Sequence, residues 1–87
     1  MEISVRIEIL KEGDVYVALS PDLNVSSFGE TMEAAKISFK EAFEAFIEEC
    51  REMGTLEEVL EESGFTKFGN SWGSRKPITE EQLAIAV

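Results

Sequence analysis

Ser20, Ser26, Ser27 and Cys50 are the side chains from which this sequence could build a nucleophile, and its 18 Asp and Glu are the groups that could exchange protons. A hydroxyl or thiol attacks a carbonyl or phosphoryl centre only when a neighbouring base takes its proton. The chain contains no His to serve as that base. Cys50 falls on the apolar stripe of a helical pattern, where a thiol is buried and inert. Acid–base work by carboxylates alone would need two of them in one pocket. Here Glu41, Glu44, Glu48 and Glu52 recur at the outward positions of the same helical pattern. No catalytic residue is assigned. A structural zinc site is short of soft ligands, with one Cys and no His, and no metal or cofactor is expected.

What the charges can do is meet another protein. Against the 18 acidic residues stand 8 Lys and Arg, a net charge of -10. The imbalance is concentrated: residues 41–62 hold nine Glu and one basic residue, Arg51. Such a face repels the phosphate backbone of a nucleic acid and attracts a basic protein, because complementary potentials steer encounter and select partners. The only basic cluster, Lys67, Arg75 and Lys76, lies in a Gly-rich stretch beside Trp72, and three positive charges supply little phosphate affinity. The chain alone is expected to bind no nucleic acid. Its apolar runs are short and interrupted by charge, and "MEISVRIEIL" lacks a basic leader and a continuous apolar core, so neither secretion nor membrane insertion is expected and a cytoplasmic protein is.

The elements that would carry these surfaces follow from hydrophobic period. Ile3, Val5, Ile7 and Ile9 alternate with Glu2, Ser4, Arg6 and Glu8, the pattern of one half-buried strand. A turn at Gly13 leads to a second alternating run, Val15 to Ser20, which predicts an antiparallel hairpin ended by Pro21. A short third strand fits Val25 to Phe28. From Thr31 the period lengthens: Ala35, Phe39, Ala42, Phe43, Phe46, Ile47, Cys50 and Met53 recur at three and four residues, predicting a long amphipathic helix with Thr31 as its N-cap and Gly54 as its left-handed terminator. Thr55 to Glu58 reads as a capping box opening a short helix that stops at Gly64, with Leu56, Val59 and Leu60 turned inward and Phe65 and Phe68 folding back on the core. "KFGNSWGSRKP" reads as a linker. Gln82–Val87 alternates Leu83, Ile85, Val87 with Ala84, Ala86, the period of an uncharged strand in need of a partner.

The expected fold class is therefore α+β: an antiparallel sheet of three strands packed on one long helix, followed by a short helix and a C-terminal strand. Residues 1–65 form the main domain, and residues 66–87 a loop and strand that complete the sheet or a dimer interface. An 87-residue chain buries only about 60 to 65% of its unfolded surface and gains much from pairing, so a homodimer or higher assembly is expected. Leu83, Ile85 and Val87 are the candidate dimer interface.

The order of these pieces resembles the HicB-like antitoxin family. In that family a strand bearing an aromatic and a small residue, as Tyr16 and Ala18 do, runs into Pro-Asp/Glu-Leu, here Pro21-Asp22-Leu23. Gly-Asp/Glu-Thr, here Gly29-Glu30-Thr31, then opens a long helix. The likeness covers residues 3 to about 50 and continues weakly through "TLEEVLEESGF". It implies a dimeric α+β domain that binds a small basic HicA-like messenger-RNA ribonuclease and covers its catalytic histidine. The candidate partner-binding residues are Tyr16, Asp22, Glu44, Glu48 and Trp72. Two departures stand out: Asn24-Val25 replaces the Pro-Gly that commonly follows Pro-Asp-Leu, and nothing after Gly64 matches the appended operator-binding module of many members. The alternative function is a stand-alone dimeric interaction or regulatory domain with an unrelated protein partner.

Overall fold

The computed structural model describes residues 1–87. Strands β1 (Glu2–Ser4), β2 (Glu8–Glu12), β3 (Val15–Ser20) and β4 (Val25–Gly29) precede helix α1 (Met32–Met53), helix α2 (Leu56–Glu62) and a hairpin of β5 (Thr66–Phe68) and β6 (Ser71–Gly73). No helix is long and apolar enough to cross a membrane. The three-stranded antiparallel sheet expected from the sequence is β2-β3-β4, and α1 packs on it through β3 and β4.

Gly13, at φ 59, turns β2 into β3, and the hairpin register pairs Leu10 with Val17 and Lys11 with Tyr16. Alternation then assigns the faces of β3. Ala18 and Ser20 are fully buried on the helix side, while Val17 and Leu19 lie half-buried on the other. The core joins Ala18, Ala35, Phe39, Phe43, Ile47, Cys50, Leu56, Leu60, Phe65 and Trp72. Phe39 and Phe43 stack with ring centroids 5.7 Å apart. Burying each large side chain of α1 contributes roughly 1.5 to 3 kcal/mol before ordering entropy is subtracted, so this stripe holds the helix on the sheet.

Both helices close in the same way. The Gly54 amide donates to the carbonyl of Arg51 at 3.1 Å and the Thr55 amide to that of Cys50 at 2.9 Å. The Gly64 and Phe65 amides do the same to Glu61 and Leu60, at 3.1 and 2.9 Å. Gly54 and Gly64, at φ 71 and 86, occupy the left-handed position that this double closure demands. The capping box expected at Thr55 is absent for that reason. Its amide is already given to Cys50, so Glu58 has nothing to reach back for, and the Thr55 hydroxyl donates to the same carbonyl at 3.4 Å instead of capping α2.

Five further expectations are corrected. The run Ile3 to Ile9 is two strands rather than one, because its halves serve different partners: β1 pairs parallel with β6, and β2 antiparallel with β3. The "linker" is the β5–β6 hairpin, turned by Gly69-Asn70 with Gly69 at φ 60. That two-residue turn is itself a hairpin signal. Phe68, in this hairpin, points outward, and Met53 at the end of α1 is exposed as well. Residues 74–87 form no strand in the single chain, and the C-terminal strands of the fold are β5 and β6 instead.

Candidate partner-binding surface

The turn between β3 and β4 is built by its own residues. Ser20, fully buried, accepts the Leu23 amide on its hydroxyl at 3.3 Å and the Asn24 amide on its carbonyl at 3.0 Å. Asn24 takes the left-handed conformation, φ 55, and so supplies the reversal without a glycine. Asp22 faces into the chain: its Oδ1 lies 3.6 Å from Nη2 of Arg6. Arg6 also holds Glu80 of the C-terminal segment at 3.2 Å. Asp22 thus has a basic partner within its own chain.

Trp72 is 3% exposed and belongs to the core, so its ring is not offered to a partner. The Lys67 ammonium lies 5.8 Å from the indole centroid and also pairs with Glu57 at 3.2 Å. Tyr16 is half-buried at the start of β3, with Lys11 over its ring at 5.8 Å. Among the potential nucleophiles, Ser20 is engaged in the turn and Cys50 is buried on the apolar stripe of α1.

Glu44 and Glu48 are the two candidates that the fold brings together. They stand one turn apart on the exposed flank of α1 and form one lip of an open groove of about 650 Å³. Ile3, Val5 and Ile7 from the N-terminal segment and Phe39, Phe43 and Ile47 from α1 make its apolar floor. Glu2, Lys40 and Arg51 complete the charged rim. Arg51 is drawn to Glu48 at 3.6 Å, whereas Glu44 engages no cation of its own chain.

The groove exists because α1 sits over β3 and β4 and leaves a gap between its flank and the N-terminal segment that carries β1. A helix about 10 Å across cannot roof both the β2-β3-β4 sheet, its strands spaced about 4.8 Å apart, and the N-terminal segment beside it. Sequence reasoning missed this site because it read Ile3, Val5 and Ile7 as one face of a single half-buried strand. The available signal was arithmetic: more apolar strand positions than one helix can cover.

The five candidate residues therefore do not form one site. Glu44 and Glu48 share the groove, Asp22 lies beyond the end of β3 with Arg6, Tyr16 lies at its opposite end, and Trp72 is internal. No protein-family model, no curated protein and no solved structure matches this chain. The likeness to HicB-like antitoxins rests on the residues quoted for it.

Proposed function

We propose that this chain is a non-catalytic, cytoplasmic interaction protein of the HicB-like antitoxin kind, which binds and neutralises a small basic HicA-like messenger-RNA ribonuclease. The observation that supports it is the pairing, on one flank of α1, of an apolar groove with the free carboxylate of Glu44 and its neighbour Glu48. A basic partner gains from both. Its Lys and Arg are drawn by the acidic face of residues 41–62, and an apolar side chain then leaves water against Phe39, Phe43 and Ile47. A covered ribonuclease is neutralised by exclusion of its RNA, which requires no chemistry from the binder. The engagement of Ser20 and the burial of Cys50 fit a binder better than an enzyme. Net charge -10 fits a chain that binds no operator by itself.

The test is to look beside its gene for a reading frame encoding a small basic, His-containing protein, to co-express the two and to measure complex formation and RNA cleavage. A stoichiometric complex that suppresses cleavage and weakens as salt rises is expected. Glu44→Lys with Glu48→Lys should weaken binding about tenfold to a hundredfold, roughly 1.4 to 2.8 kcal/mol. Recovery from the native host of only large or acidic partners, or a complex in which cleavage continues unchanged, would defeat the reading.

A further inference from the structure

We propose that two copies of this chain associate by strand exchange, Gln82–Val87 of one copy running as an added strand beside β4 of the other. The edges of the two sheets are β1, β5, β2 and β4. Three of them carry charge that guards against pairing: Glu2 on β1, Lys67 on β5, and Glu8, Lys11 and Glu12 on β2. β4, Val-Ser-Ser-Phe-Gly, has neither a charged residue nor a proline. It is the edge open to a further strand.

The face beside that edge is apolar and uncovered. The register sets Leu10, Val17 and Phe28 in one row across the three strands, on the side away from α1. Phe28, at the β4 end of the row, is 67% exposed. Residues 82–87 have the complementary character. They carry no charged side chain, they are exposed, and they pair with nothing in the single chain. A strand of that sequence beside β4 places Leu83, Ile85 and Val87 next to Phe28, extending the row by one strand spacing of about 4.8 Å.

The opposite face imposes a size limit that the segment meets. The first turn of α1 approaches β4 so closely that a Cβ built on Gly29 would stand 2.6 Å from the Ala35 nitrogen. A strand added next to β4 must present small groups on that side, and it presents Ala84 and Ala86. Electrostatics selects the same surfaces. Each copy carries -10, so like copies approach only where charge is missing, and β4 and residues 82–87 are such stretches.

Light scattering after size-exclusion chromatography, on the full chain at tens of micromolar, tests the proposal. A mass of at least twice the 9.7 kDa of one chain is expected. Leu83→Asp with Ile85→Asp, and separately Phe28→Asp, should each return it to one chain mass with unchanged circular dichroism, since all three positions are exposed. A chain ending at Glu81 should behave like the double variant. A monomeric full-length protein overturns the proposal, as does an assembly that survives either the tail variants or Phe28→Asp.

Discussion

Asp22 Oδ1 lies 3.6 Å from Arg6 Nη2, which ties the turn after β3 to the chain segment that joins β1 to β2. The Asp22 side chain is 18% exposed, against 72% for Glu80, the other carboxylate on the same guanidinium. Shielded from water, the first pair keeps more of its attraction than the second. Double-mutant cycles on unfolding should give a coupling of about 1 kcal/mol for Arg6 with Asp22 and below about 0.3 kcal/mol for Arg6 with Glu80. Equal couplings would mean that burial does not distinguish them.

Gly29 is the residue on which the seating of α1 depends. Adding a methyl there drives a carbon into the backbone at Ala34 and Ala35, at 2.7 and 2.6 Å, and backbone cannot swing aside as a flexible side chain does. Gly29→Ala should cost about 1 to 3 kcal/mol, read as a lowered urea midpoint with unchanged slope.

The two aromatics of the β5–β6 hairpin should part company. Trp72→Ala opens a large core cavity and should cost about 3 to 5 kcal/mol, most of the stability of so small a domain. Phe68, 69% exposed, should tolerate alanine within about 0.5 kcal/mol. Because Trp72 is the single tryptophan, its fluorescence during urea titration follows the core directly.

Thr31 and Thr55 make a matched comparison. The Thr31 hydroxyl accepts the Ala34 amide at 3.0 Å, so Thr31→Ala should cost about 1 kcal/mol. Thr55 caps nothing with its side chain, and Thr55→Ala should cost well under that amount. Thermal melts of the two variants check the order.

Raising salt should increase the melting temperature of the wild-type chain, since ions screen the mutual repulsion of Glu57, Glu58, Glu61 and Glu62 on the seven residues of α2. A melting temperature that falls between about 0.05 and 0.5 M sodium chloride would show that attractive pairs such as Lys67 with Glu57 dominate.

The contrast between these two threonines shows how far the amino-acid order could be read. Thr31 is legible because its partner lies three residues away, and the same locality makes Gly13, Pro21, Gly54 and the period of α1 legible. Thr55 is misread because it satisfies two local patterns at once, and the helix behind it claims its amide first. Distance defeats the rest. That Ile3 would face Trp72 across a parallel ladder is not encoded in any window short enough to scan, so the break in the first strand was hidden, whereas the hairpin at Thr66–Gly73 was local and its Gly69-Asn70 turn was passed over among the loop-forming residues around it. The groove was hidden with that break: the acidic lip at Glu44 and Glu48 could be read from helical period, but its apolar floor depends on the gap that α1 leaves beside the N-terminal segment.

The parallel pairing of β1 with β6 also dictates an order of events. Ile3 meets Trp72 across 69 positions of chain, whereas the β2–β3–β4 meander and α1 close on neighbours. Each doubling of a loop costs only about 0.6 kcal/mol more, yet that cost falls before any contact repays it. A nascent chain leaving the ribosome therefore holds its meander and helix early and keeps Glu2–Ser4 waiting until Ser71–Gly73 have emerged. Substitutions at Ser71 or Gly73 should accordingly hasten unfolding and leave the refolding rate almost unchanged.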